Sequence, residues 1–503
     1  MRALPILLAA ATGAAILAGC HENDGAPAAA NDKATETAPA SETAPTPVAP
    51  PPPAAALAAD SGEHHLAHRW SRRLGGPTRD AARGVATGPD GLIAIAGYTT
   101  GKADFGATAQ KAYEPKPAAK IDAYVASLDA GGKTRWARTF GGAGDDIANS
   151  VAIDSHGNVI VAGTFAQTLT FADGTLASAG ADDMFVVKLT SDGRRLWAHR
   201  FGGRDIDALH YVTTDREDRI LITGVFRDKV RVGETILTSA GDADIFMAVL
   251  SPEGEPVWAK GFGSSGPDWG RAAAADDAGF IAFAGEISGE VDLGTGPLKS
   301  VGNRDLVLAR LSPAGEPVWS QRFGSEFNEV AVGMAIDPAR HIAITGSFDG
   351  TIDFGCGPLK SAGESDAFVA SFDEAGKCRF AQRFGDERED IGAGVATDRF
   401  GNIAATGWFW STFAAGGKKL ESNGRKDVYL TLLSPSGKVL YAQTFGDKSD
   451  DQGRAVAINA DGDLVVAGTF RYTVNFGGED IVYAHTDDQL LAQGDAFVAK
   501  FSN

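Results

Sequence analysis

Two sets of carboxylates recur at fixed positions along the chain, and they are its one pattern with chemistry in it. Asp80, Asp146, Asp207, Asp268, Glu329, Asp390 and Asp451 each stand ten residues after a recurring aromatic. Asp122, Asp183, Asp244, Asp305, Asp366, Asp427 and Asp495 each stand just before a β-branched or aromatic run, as in Asp183-Met-Phe-Val-Val-Lys-Leu189. Clustered carboxylates are the hard oxygen ligands that Ca²⁺ takes. Short acidic side chains equally accept backbone N–H bonds and hold a loop in shape. Repetition in every unit favours the loop-fixing role, because a functional site seldom needs seven copies. With strands alternating in direction both sets are expected to ring one face of the molecule, with no basic residue seen at a fixed offset to neutralise them, and the first set supplies candidate binding-face residues.

Other patterns look chemical and fail on context. Gly261-Phe-Gly263-Ser-Ser-Gly266 matches the dinucleotide-binding glycines, but no helical pattern follows it. Asp104-Phe105-Gly106 and Asp353-Phe354-Gly355 imitate a kinase motif, yet both fall at one place in the repeat. No nucleophile elbow, phosphate loop or zinc-spaced Cys/His set is present. Nor does a unique His, Arg or metal ligand show itself near an axis. Catalytic, cofactor and metal residues are therefore expected to be none, with Ca²⁺ left as an open question, and the chain is not expected to be an enzyme.

The elements that position the carboxylates follow from the repeat. Its lead aromatics are Trp70, Trp136, Trp197, Trp258, Trp319, Phe380 and Tyr441, 61 residues apart after a first step of 66. A glycine follows each aromatic by five residues, from Gly75 to Gly446, and another by 27, from Gly97 to Gly468. A fixed period of this kind is the signature of a repeat architecture. Each unit reads as four short strands bounded by Gly, Asp, Asn and Pro, with no helical periodicity. Seven such sheets set radially make an all-β, seven-bladed β-propeller over residues 66–503. The chain enters on the Trp70 strand and stops after Asp495–Phe501. The N-terminal strand is thus expected to complete the last blade and close the ring.

Departures from the period mark candidate binding loops. The first unit carries five extra residues around Lys111–Lys120, including Tyr113; the last carries seven within Gly478–Gln493, including Tyr483. Both fall between the second and third strands, and in a closed ring they are neighbours.

Residues 1–19 have one positive charge at Arg2 and then an apolar run, the pattern of a secretory signal. Leu17-Ala18-Gly19-Cys20 resembles the lipobox of bacterial lipoproteins, which implies cleavage before Cys20 and its lipidation. The alternative is an ordinary signal peptide. His21 stands where Asp would indicate retention in the inner membrane, so the expected address is the outer membrane, lipid-anchored, on its periplasmic side or at the cell surface. Residues 20–62 are rich in Ala, Pro, Thr and Glu and read as a disordered tether. A net charge of −19 argues against nucleic acid as a partner. The two cysteines that follow the tether, Cys356 and Cys378, could pair in an oxidising compartment, and spacing alone leaves that open.

The motifs W-x₃-F-G-G-x₃-D, A-x-D-x-x-G-N-x-x-V-A-G and D-A-F-V-A-K, at residues 136–163 and 495–500, resemble the SBBP seven-bladed β-propeller repeat of bacterial envelope proteins. Departures are local, at Ala415-Gly416 and at Asn459. The resemblance implies an extracytoplasmic propeller and supplies no reaction. The expected function is a non-enzymatic envelope lipoprotein that binds a protein or glycan partner. Alternatives are a scaffold or assembly factor of the outer membrane and a hydrolase or lyase using the carboxylates.

Overall fold

The computed structural model describes residues 65–106, 121–484 and 494–502. It is a seven-bladed β-propeller, with seven four-stranded antiparallel sheets. The second blade shows the plan: an inner strand Asp146–Ile153, a second Val159–Phe171, a third Gly174–Leu189 and an outer strand Arg195–Phe201. Each inner strand touches the inner strands on both sides, and Gln452–Ile458 of the last blade returns to Asp80–Thr87 of the first. The last blade takes its outer strand, Ala67–Leu74, from the start of the described chain; it pairs antiparallel with Asp495–Ser502. The ring closes as the phase of the repeat requires. Among the described residues, no helix is long and apolar enough to cross a membrane.

There is no single core. Seven apolar clusters form, one between each pair of adjacent blades. Both faces of a blade are therefore covered, which explains why the third strands are apolar without alternation. In the second blade Phe185, Val187 and Leu189 pack toward the first blade, while Met184 and Val186 pack toward the third. Each fully buried Phe contributes roughly 1.5–3 kcal/mol.

The lead tryptophans pin neighbouring blades together at the rim. Trp136 donates its indole N–H to the Ser191 carbonyl of the next blade at 2.7 Å, and Trp70 does the same to Ala130 at 3.0 Å across the closing junction.

The expectation of four short strands per blade needs correction. In the second, third, fifth and sixth blades the second and third strands run 12–16 residues and continue beyond the sheet as a hairpin arm. The register breaks at Gln167, Asp228, Gly350 and Ser411, all at positive φ, so the arm bends away there. In the fourth and seventh blades the arm is a separate two-stranded piece. The arms reach back to the preceding blade: Phe171 packs on Phe140 with ring centroids 5.4 Å apart, and Phe413 stacks on Phe384 at 5.7 Å. What reads in sequence as a loop is a buttress.

Candidate functional site in the blade seams and the central channel

The two acidic sets meet in the seams between blades, and they are buried. All seven members of the first set and all seven of the second are inaccessible or nearly so. They are therefore not binding-face residues. The second set stands where the third strand of one blade enters its sheet, the first stands where the inner strand of the next begins, and a backbone bond joins the first to the residue just before the second. Asp146 donates its N–H to the Ile121 carbonyl at 2.7 Å, Asp207 to Asp182 at 2.8 Å, and Asp80 to Gly494 at 2.8 Å across the closing junction. The carboxylates then accept backbone N–H groups of the turns around them. Asp146 accepts from Gly142 at 2.8 Å, Asp207 from Gly203 at 2.7 Å and Arg227 at 2.9 Å, and Asp451 from Asp447 and Arg471 at 2.9 Å. In the second set Asp183 accepts from Ala179 at 2.7 Å and Asp366 from Ala362 at 2.8 Å.

The glycine five residues after each aromatic exists for this seam. A Cβ on Gly324 would lie 2.6 Å from the Asp305 carboxyl carbon and 2.7 Å from Glu329 Oε2. Burial, partly offset by the turn N–H groups, pushes the Asp146, Asp390 and Asp451 carboxyls up to about 8. Burial likewise lifts Asp80, Glu329 and Asp427 to about 7, and Asp122 and Asp207 to about 6.

A basic residue does recur, contrary to the sequence reading. Three positions after the lead aromatic stand Arg73, Arg200, Arg322 and Arg383, and each pairs with the second-set carboxylate of its own blade, as Arg200 with Asp183 at 2.7 Å. The signal was obscured because Thr139, Gly261 and Thr444 occupy that position in the other three units.

The remaining expected site residues fall as follows. Cys20 and Tyr113 lie outside the described residues. Tyr483 is not displayed on a loop: its ring is buried in the cluster between the sixth and seventh blades. Cys356 and Cys378 are joined in a disulfide, Cα atoms 5.6 Å apart, which ties the arm of the fifth blade to its outer strand. In the second blade the equivalent pair is Asp173 with Arg195, an ion pair at 3.0 Å. Among the described residues one group has metal-ligand spacing, Asp154, His156 and Asp218. Its carboxylates are already occupied. Asp154 accepts from the His156 and Asn158 N–H groups and pairs with Lys188 at 2.9 Å, while Asp218 accepts from Ser155.

The sequence reading missed the channel. Every inner strand carries a bulge at one residue, the one 13 positions after the lead aromatic: Arg83, Asn149, His210, Arg271, Val332, Ala393 and Arg454. Beside the bulge a carbonyl of the inner strand lies close against the second strand, and a Cβ on Gly97 would sit 1.8 Å from the Ala81 oxygen. That accounts for the second recurring glycine. All of these bulge residues except Val332 and Ala393 are polar, and all seven or their neighbours line a central cavity of 290 Å³. The symmetry-breaking Arg and His residues near the axis, not seen in the sequence, are therefore present.

Neighbouring bulge side chains link round the lumen. Arg83 donates to Asn149 Oδ1 at 3.3 Å, Asn149 to the Leu209 carbonyl at 2.8 Å, and His210 Nδ1 bonds the Gly270 carbonyl at 2.7 Å. Because a carbonyl only accepts, Nδ1 carries the proton. Burial and then the adjacent Arg271 push the imidazole down to about 4, so it is neutral at pH 7. Arg271 lies 4.4 Å over the Trp269 ring and is paired with Glu286, which also binds Arg304 at 3.1 Å. Arg454 lies 4.5 Å over Trp408 and Arg83 5.4 Å over Tyr98. Tyr211 reaches from the third blade to the Met334 carbonyl of the fifth at 3.4 Å, narrowing the lumen.

No family model matches the chain. It is 31% identical over 113 residues to a WD repeat-containing protein of Acanthamoeba polyphaga mimivirus, covering 21% of this chain and 8% of that protein. It is 26% identical over 191 residues to the regulatory protein FlaEY of Caulobacter vibrioides, covering 36% of this chain and 20% of FlaEY. The matched segments are a small part of both relatives. Among solved structures, Sqt1 from Chaetomium thermophilum is similar at a TM-score of 0.39 and 12% identity, over 80% of this chain and 83% of that one. A gluconolactonase from Xanthomonas campestris is similar at 0.33 and 10%, over 85% and 88%. These likenesses carry no activity to this chain.

Proposed function

We propose that the protein is a lipid-anchored binding module of the bacterial envelope, of the SBBP-repeat type, which holds a protein or glycan partner and catalyses no reaction. The observation that carries this reading is where polar groups are spent. The recurring carboxylates are consumed in the seams, while the residues that differ from blade to blade face the lumen. A rigid closed ring with a varied polar lumen suits recognition. It is poorly equipped for acid–base chemistry: no carboxylate lines the cavity among the described residues, and a neutral His210 with its pKa near 4 is a weak base. The anchor rests on the Leu17-Ala18-Gly19-Cys20 sequence, and the outer membrane on His21 after the cysteine.

Two measurements test this. Fractionation of cells expressing wild type and Cys20→Ala is expected to move the protein from the outer-membrane fraction to the soluble or unprocessed pool. Cross-linking and capture of the lipidated protein from solubilised envelopes is expected to return a partner held by the propeller alone. Recovery of Cys20→Ala in the outer membrane at the wild-type level would refute the anchor.

A further inference from the structure

We infer that the lumen of the propeller binds an oxyanion, a carboxylate or phosphate carried on a sugar-sized body, between Arg83 and Arg454. The inference rests on the binding-module reading and names the chemistry of its ligand.

The two guanidiniums come from blades adjacent across the closing junction, each on an inner-strand bulge. Each is backed by an aromatic face, Tyr98 or Trp408. Neither forms an ion pair with a carboxylate among the described residues. Arg83 bonds Asn149 Oδ1 and the Tyr98 side chain, and Arg454 bonds Gln452 Oε1. A guanidinium has five N–H donors in a planar fork, so most of their capacity is unspent and the fork matches an oxyanion in two-point contact.

Other arginines of this chain, half-buried or buried, are paired with carboxylates. Arg271 has Glu286, Arg310 has Asp276, and Arg200 has Asp183. Arg83 is exposed to the water of the lumen and Arg454 is half-buried, and two like charges facing one cleft without a counter-ion concentrate an anion between them. Burial and then the nearby Arg83 push the Arg454 guanidinium down to about 10. A molecule with a net charge of −19 repels anions from its outer surface, so a cationic lumen is a selective entry point.

The other side of the lumen sets the size and nature of the ligand body. Next to Arg454, Ala393 and then Val332 make the wall apolar; next to Arg83, Asn149 and His210 offer neutral polar contacts; and Arg271, neutralised by Glu286, stands across the lumen. At 290 Å³ the cavity is near the lower limit of small-molecule sites, about 300–1,000 Å³, which leaves room for one small ring.

The test uses the full chain purified in detergent, titrated at low salt with glucuronate, glucose 6-phosphate and glucose, and followed by tryptophan fluorescence and calorimetry. Binding of either charged sugar, with glucose at least tenfold weaker, is expected. Preference for glucuronate identifies an acidic glycan as the source, and preference for the phosphate identifies a phosphorylated sugar. Arg83→Gln and Arg454→Gln should each weaken binding by about tenfold or more, the loss of a charge-assisted contact. Arg454→Lys should recover part of it, and the exposed control Arg216→Gln should change nothing. Melting curves on the same samples show that the variants are folded. Glucose binding as tightly as the charged sugars, no binding of any of them, or full affinity in Arg83→Gln/Arg454→Gln would overturn the inference. If the double variant loses the sugar acid yet keeps its captured envelope partner, the lumen and the partner surface are separate, and the wider binding reading stands alone.

Discussion

Two rings of seven positions run around this propeller, ten and thirteen residues after the same aromatics, and they are used in opposite ways. The ten-position ring is acidic in every blade, completely buried, and bonded to turn amides. The thirteen-position ring carries arginine, asparagine, histidine, valine and alanine and faces the channel. Only two residues of chain separate a position that the fold dictates from one that it leaves open. A seam needs one chemical solution repeated at each junction. A bulge, once its neighbouring glycine makes room for it, projects any side chain into water.

The comparison breaks first at the closing junction, where the seam depends on the N-terminal strand. Deleting residues 66–74 removes Trp70, Arg73 and the outer strand of the last blade, and is expected to lower Tm by more than any point substitution. Deleting residues 21–60 is expected to leave Tm unchanged. Equal losses in thermal melts of the two deletions would mean that the ring does not close through this strand.

Within a seam, Asp146→Ala is expected to cost about 1–3 kcal/mol, because it leaves a buried turn amide unpaired. Asp146→Asn should cost less, since the amide oxygen still accepts. An Asp-to-Asn exchange of this kind already exists at another recurring position, the turn after the inner strand. Asn459 stands there where Asp154, Asp215, Asp276, Asp337 and Asp398 stand in other units, and it still accepts the Asp461 and Asp463 N–H groups at 3.0 and 2.8 Å. Denaturant melts with and without chelator sharpen the point. A bound Ca²⁺ at a hundred times its dissociation constant would add about 2.7 kcal/mol per site. No calcium effect is expected, and a large one lost equally in Asn and Ala would turn the seams into metal sites.

The seams also make stability depend on pH. Burial holds Asp146, Asp390 and Asp451 at about 8 in the folded chain, against about 4 when unfolded. Between those values the folded state binds more protons, so stability falls as pH rises. The contribution is fully present below about pH 4 and is lost as pH passes 8. Melting at pH 5.5 is expected to lie above melting at pH 8.5, and Asp146→Asn should flatten that slope. A higher Tm at pH 8.5 would show that these carboxyls are ionised without penalty.

Much of the architecture was legible in the sequence because it is repeated. The period gave blade number, strand phase and the closing strand, since each depends on where Trp70 and Asp495 sit in the repeat. Depth was not legible: a carboxylate before a strand reads the same whether it is displayed or sealed in a seam, and Asp80 and Asp146 were expected at a surface they never reach. The arginine at the third position was hidden because three units lack it. The channel residues escaped for a related reason. Arg83, Asn149, His210 and Arg454 look unrelated in sequence, and only the bulge shows that they hold one structural position. The arms were misread because a register break at Gln167 or Ser411 looks like the end of a strand.

The claim that the seam ring carries stability and the lumen ring carries function is tested most directly by thermal melting of Arg83→Gln/Arg454→Gln beside Asp146→Ala. The account predicts a Tm for the double variant at or above wild type, because two uncompensated like charges have been removed, while Asp146→Ala melts lower. A double variant that loses as much Tm as Asp146→Ala would contradict it.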